Sequence, residues 1–119
     1  MNLYKDLILD LYRHPLNYGE LINPDIVVSE INQLCGDMVK LAFKFDDNDL
    51  VSEIKFTAEG CAISIATTSI LTELVKGKHK SALIEITSQD ILTELGINPG
   101  PSRLRCALLG LEAMKKALR

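Results

Sequence analysis

Residues 60–72 are the feature that most constrains the fold, because this run contains no charged side chain. Glu59 precedes the run and Glu73 follows it, so the uncharged stretch is too short to cross a bilayer as a helix. A helix that is apolar on every side is buried inside a protein. The helix predicted from this run ends at Gly77, a residue suited to the left-handed conformation found after many helix ends. We therefore predict one central, buried helix.

Residues 39–45 alternate between apolar and other side chains, with Val39, Leu41 and Phe43 on one face, as in a half-buried strand. Residues 50–58 have the pattern of the returning strand, and the β-branched run 26–31 adds another. The intervening Asp-Asp-Asn-Asp lacks the glycine and glutamate of a calcium-binding EF-hand loop, so we interpret it as a solvated hairpin tip.

Three further helices are expected from their boundary signals. The first is amphipathic and ends before Pro15, the second begins with a capping-box pattern at Thr87 and stops at Gly96, and the last runs from Ser102. Cys106 then falls in about the first turn of that last helix. The expected fold class is α+β, a small three-stranded antiparallel sheet packed against helices with the uncharged helix central, and residues 1–119 are expected to form a single domain.

Charge and composition exclude two classes of partner. The net charge is −3 and there is no Trp, whereas nucleic-acid binders show a basic face with aromatic side chains. The first eleven residues carry Lys5, Asp6 and Asp10, which do not suit the apolar region of a signal peptide. We expect no nucleic-acid partner, no membrane association and a cytoplasmic location.

The three cysteines, Cys35, Cys61 and Cys106, all fall near predicted element boundaries. An odd number in a cytoplasmic chain does not indicate a disulfide framework. Cys61 begins the central helix, where the positive end of the dipole stabilises a thiolate, although a cysteine there is also compatible with a small buried side chain. Asp37 follows Cys35 across a glycine, and three thiolates with one carboxylate provide the four ligands of a tetrahedral zinc site or an iron–sulfur cluster. Coincidence explains the spacing equally well.

Four short motifs, in this order, resemble the U-type iron–sulfur scaffold family, which comprises IscU, SufU and the N-terminal domain of NifU. They are Pro-Leu-Asn-Tyr-Gly at 15–19, Cys-Gly-Asp at 35–37, Gly-Cys-Ala-Ile-Ser at 60–64 and Arg-Leu-Arg-Cys-Ala at 103–107. The resemblance implies that Cys35, Asp37, Cys61 and Cys106 hold iron, a transient [2Fe-2S] cluster or, alternatively, zinc. It also implies that a cysteine desulfurase supplies persulfide sulfur and that apo iron–sulfur proteins accept the product.

The chain departs from both family patterns near the third cysteine. IscU-type members have a histidine where this chain has Arg105, and residues 98–102 replace their Leu-Pro-Pro-Val-Lys chaperone motif. The arginine resembles the SufU pattern, which implies zinc-dependent sulfur transfer, but the chain lacks the SufU insertion between the second and third cysteines. It is a hybrid of the two.

Three functional hypotheses remain open. The first is a scaffold or sulfur acceptor, rather than a true enzyme, in which Cys35 or Cys106 takes the persulfide. Cys35 is the preferred acceptor, because its glycine-flanked turn gives it the mobility that sulfur acceptance needs. The second is a non-catalytic domain stabilised by structural zinc. The third is a cysteine hydrolase that pairs Cys61 with His14 or His79. Nothing in the sequence brings either histidine close to a cysteine.

Overall fold

The computed structural model describes residues 3–33, 36–96 and 99–118. Its elements in chain order are α1 (Leu3–Arg13), β1 (Ile26–Ile31), β2 (Met38–Phe45), β3 (Val51–Glu59), α2 (Ala62–Val75), α3 (Lys80–Leu83), α4 (Ser88–Leu95), α5 (Pro101–Ala107) and α6 (Leu109–Ala117). The three strands form one antiparallel sheet in the order β1-β2-β3. The predicted α+β class and the three-stranded sheet are confirmed.

One face of the sheet forms the hydrophobic core. Val39, Leu41 and Phe43 of β2 are fully buried, as the alternation predicted, and Ile54 and Phe56 of β3 lie in the same cluster. The helices α2 and α6 pack against these strands. The hairpin between β2 and β3 closes through Asp46, whose carboxylate accepts the backbone N–H groups of Asn48 and Leu50.

The predicted central helix is confirmed as α2, which is buried along most of its length. Its buried polar side chains are short hydroxyls, and several of them bond to the helix's own backbone. The hydroxyl of Thr68 donates to the carbonyl of Ser64 at 2.7 Å, and that of Thr72 donates to the carbonyl of Ser69 at 2.6 Å. Because these hydroxyls are satisfied locally, a helix rich in Ser and Thr can be buried without leaving polar atoms unpaired.

The 15–19 motif joins α2 to the outer edge of β3. The backbone of Phe56 donates to the carbonyl of Asn17 and accepts from the N–H of Gly19, so this loop continues the sheet. The Asn17 side chain then donates to Thr72 at 2.9 Å. The motif therefore fixes the helix against the strand that leads into it.

The prediction of one continuous final helix was wrong. The helix breaks at Leu108, whose φ of −101° and ψ of 1° leave helical geometry, and it begins at Pro101. The break gives the two halves different contacts, because α5 packs on α2 while α6 packs on β1, β2 and α2. Cys106 consequently lies in the last turn of α5 and not in its first.

The start and the end of α4 lie where the sequence predicted them. The capping box at Thr87 and the left-handed Gly96 are both present, which confirms the predicted start and stop. The exposed His79 leads into the short helix α3, because its imidazole accepts the N–H of Ser81 as a cap. No helix within the described ranges has the length and hydropathy to cross a membrane.

Candidate metal centre

Asp37 is placed beside the start of α2 by the register of the sheet. Met38 pairs with Glu59 in the antiparallel β2–β3 ladder, so the next residues outward, Asp37 and Gly60, lie opposite each other. A Cβ atom on Gly60 would lie only 2.7 Å from Cγ of Asp37. A glycine at position 60 therefore lets the Asp37 carboxylate occupy this corner.

Cys61 is the N-cap residue of α2 and is partly exposed. Its backbone N–H donates to Oδ2 of Asp37 at 3.3 Å. A carboxylate at a helix N-terminus satisfies one of the free N–H groups and interacts favourably with the helix dipole. The Asp37 side chain thus bonds to the start of α2, and it is buried there, with 8% of its surface exposed.

Cys106 reaches the same point from α5 and is buried, with 9% of its surface exposed. One ligand atom from each of Asp37, Cys61 and Cys106 can be chosen so that all three lie within 4.8 Å of one another. In a tetrahedral zinc site, bonds of about 2.0–2.3 Å place the ligand atoms roughly 3.3–3.8 Å apart. Two soft thiols and a carboxylate within about 1 Å of that spacing fit zinc or iron.

Ser64 touches all three of these residues. Its hydroxyl lies 2.8 Å from Oδ2 of Asp37, 3.2 Å from the carbonyl oxygen of Cys106 and 3.5 Å from Sγ of Cys61. The side chain is 1% exposed. Ser64 was not among the site residues predicted from the sequence, although its position three residues after Cys61 puts both on one helix face.

Cys35, the fourth predicted site residue, lies outside the residues that the structure describes. Backbone hydrogen bonds join the described residues 32, 36 and 37 around it. Asn32 donates its N–H to the carbonyl of Asp37 at 2.8 Å and accepts the N–H of Gly36 at 2.7 Å, and Gly36 has a φ of +78°. These bonds close the β1–β2 connection that contains Cys35, two residues before Asp37.

Neither histidine belongs to this cluster. His79 bridges to Leu50, just before β3, whereas Cys61 follows the opposite end of that strand. The nine residues of β3 span about 30 Å at 3.3 Å per residue, far beyond hydrogen-bonding distance. His14 is exposed at the end of α1. The geometry gives a cysteine hydrolase with His79 as its base no support.

Comparison with known proteins agrees with this geometry. Residues 3–119 match the family described as the NifU-like N terminal domain. The chain belongs to this family. Among its relatives is the zinc-dependent sulfurtransferase SufU of Bacillus subtilis, 33% identical over 133 positions that cover 98% of this chain and 89% of the relative. Another is the iron–sulfur cluster assembly scaffold protein IscU of Aquifex aeolicus, 36% identical over 98% of this chain and 74% of the relative.

Solved structures share the fold of this chain. The SUF-system protein FiSufU of Fervidobacterium islandicum AW-1 has a TM-score of 0.83 and 28% identity, over 96% of this chain and 95% of its own. A NifU-like N-terminal protein of Brucella abortus, at 23% identity and a TM-score of 0.77, covers 98% of this chain and 92% of its own and supports the fold alone. The NifU-like family thus contains both scaffold and sulfurtransferase relatives, and this member brings an aspartate and two cysteines together where they can bind metal.

Proposed function

We propose that this chain is an iron–sulfur cluster assembly scaffold. It accepts persulfide sulfur from a cysteine desulfurase and carries iron or a [2Fe-2S] cluster on Cys35, Asp37, Cys61 and Cys106 for transfer to apo proteins. The convergence of Asp37, Cys61 and Cys106 in a member of the NifU-like family carries this proposal. The whole of residues 1–119 acts as one domain in the cytoplasm.

Sulfur acceptance requires an ionised, accessible thiol. The acceptor thiolate attacks the terminal sulfur of the donor persulfide, a new S–S bond forms on the acceptor, and the donor's S–S bond breaks to release its thiolate. Electrons and sulfur balance in this step without a further reductant. The burial of Cys106 hinders it as first acceptor, so we assign the step to Cys35, with Cys106 as the second candidate.

Asp37 makes the site suited to a cargo that must leave. A carboxylate oxygen is a hard ligand among soft thiolates and binds iron or zinc less tenaciously than a fourth thiolate. Three thiolates and a carboxylate also concentrate negative charge, which the exposed Arg103 and Arg105 next to Cys106 partly offset. Replacing Asp37 with alanine is therefore expected to slow cluster or metal transfer, and an unchanged transfer rate would remove Asp37 from the mechanism.

A zinc-dependent sulfurtransferase is the second candidate. It is favoured by Arg105, which stands immediately before Cys106, and by the similarity to SufU of Bacillus subtilis. The 133 aligned positions exceed the 119 residues of this chain, so that relative has residues with no counterpart here. In this alternative, zinc is resident and the sulfur is passed on without cluster assembly.

Sulfur acceptance is tested with radiolabelled cysteine, a purified cysteine desulfurase and the reduced chain, followed by non-reducing electrophoresis. The proposal predicts label on the wild type, loss of label in Cys35→Ser, and retained label in Cys106→Ser. Loss in Cys106→Ser alone would move the acceptor role to that residue. A wild-type chain that takes no label from an active desulfurase would refute sulfur acceptance and favour a structural zinc domain.

A further inference from the structure

We infer that Ser64 is a positioning residue for the metal centre: its hydroxyl hydrogen holds the Asp37 carboxylate toward Cys61 and Cys106. The inference rests on the proposed function, because it concerns the same ligands. The buried hydroxyl of Ser64 contacts a carboxylate oxygen, a carbonyl oxygen and a sulfur atom. Each belongs to a different residue of the cluster.

A serine hydroxyl carries one hydrogen, so these three acceptors compete for it. Oδ2 of Asp37 lies closest, at 2.8 Å, and hydrogen bonds to an ionised carboxylate are the stronger ones. The carbonyl of Cys106, at 3.2 Å, takes a weaker share. The Cys61 sulfur lies farther away, at 3.5 Å, and competes least for the hydrogen. The hydrogen therefore goes mainly to Asp37.

The hydrogen bond from Ser64 orients the Asp37 carboxylate. Oδ2 of Asp37 is held from two sides, by the Ser64 hydroxyl and by the Cys61 N–H, which both belong to the start of α2. A metal-ligating carboxylate is normally oriented by such hydrogen bonds, and mutation of the donor typically lowers metal affinity about 10- to 100-fold. Ser64 thus couples the position of Asp37 to the helix that carries Cys61.

The first test is zinc affinity, measured on reduced apo protein by competition with a chromophoric chelator. Ser64→Ala is expected to bind zinc about tenfold more weakly than the wild type. Ser69→Ala is the matched control, because Ser69 is a fully buried serine of the same helix whose hydroxyl accepts the N–H of Leu16, a residue outside the proposed ligand set. It should leave the affinity within about twofold. Equal losses in both variants would overturn the inference.

The second test asks whether Ser64 acts through Asp37. In a double-mutant cycle, Ser64→Ala should cause no further loss of zinc affinity once Asp37 has been replaced by alanine. A full tenfold loss in the Asp37→Ala background would overturn the positioning role. Should Ser64→Ala fail to fold, Ser64→Thr and Ser64→Val provide a pair of nearly equal size. Only the threonine keeps the hydroxyl, so the valine variant alone should lose affinity.

Failure of the inference and failure of the proposed function give different results. A wild-type chain that binds no zinc in the chelator assay, or an Asp37→Ala variant that binds it as tightly as the wild type, would remove Asp37 from the ligand set and with it the proposed site. Normal wild-type binding that Asp37→Ala weakens and Ser64→Ala leaves unchanged would reject only the role of Ser64.

Discussion

Replacing Gly60 with alanine should displace Asp37 from the metal centre. The new Cβ would lie 2.7 Å from Cγ and 3.0 Å from Cβ of Asp37, whereas ordinary contacts begin at 3.4 Å. Asp37 must therefore retreat by about 0.7 Å, measured at its carboxyl carbon. Its Cβ is close to the backbone and cannot swing aside as a long side chain would, so the strain reaches β2.

This movement of Asp37 should weaken its hydrogen bond to Ser64 and lower the metal affinity. A shift of this size lengthens the Ser64–Asp37 hydrogen bond from 2.8 Å toward 3.5 Å, beyond an effective O–H···O distance. Losing a hydrogen bond to a charged group costs about 1.5–3 kcal/mol, which corresponds to roughly a 10- to 100-fold weaker metal affinity. The overpacking itself should lower the free energy of unfolding by about 1–3 kcal/mol.

The assay is zinc competition together with urea unfolding of the reduced apo protein. Gly100→Ala is the control, since a Cβ there meets nothing within 4 Å and its φ is −67°. We expect Gly60→Ala to lose zinc affinity and stability while Gly100→Ala loses little of either. Wild-type zinc affinity in Gly60→Ala would contradict the argument that this corner positions a ligand.

Two further substitutions test packing and charge away from the ligands. Gly110→Ala puts a Cβ 2.7 Å from Oγ1 of Thr68 and should cost about 1–3 kcal/mol in urea unfolding, with a smaller loss in the Thr68→Ala background because the clashing atoms are gone. Hydrogen bonds from Lys76 and then from Asn17 lower the pKa of Glu73. A lowered pKa stabilises the fold above the carboxyl's ordinary value of 4.5, and this contribution disappears as the pH falls through the lower folded value. Glu73→Gln should therefore cost under about 1 kcal/mol at pH 7 in urea titrations, and this cost should shrink as the pH falls below 4.5, whereas a cost that does not change with pH would reject the charge-based explanation.

The fold was predictable where a local pattern had one physical solution. The uncharged run forced a buried helix, and the alternation in β2 fixed which side chains face the core. The break at Leu108 was not predictable, because leucines and alanines favour helix on both sides of it. Only the tertiary contacts decide it, since α5 packs on α2 while α6 crosses to the sheet.

Some residues of the metal centre were likewise predictable from the sequence, and others were not. Asp37, Cys61 and Cys106 were selected because their residue types and positions suit metal ligands, and the structure brings them together. Their ligand role, like that of Cys35, remains a prediction. Ser64 was missed because a serine in a buried helix most often bonds to its own backbone, as Thr68 does. Its contacts with Asp37 and Cys106 are separated by 27 and 42 residues along the chain, and only the fold creates them.

The most direct test of the scaffold proposal is the content of iron, zinc and acid-labile sulfide per chain in protein purified without oxygen. The proposal predicts iron with a matching amount of sulfide, lost together in Cys61→Ser. About one zinc per chain without sulfide would support the sulfurtransferase instead. Neither metal, with three free thiols, would contradict the assignment of Cys35, Asp37, Cys61 and Cys106 as ligands.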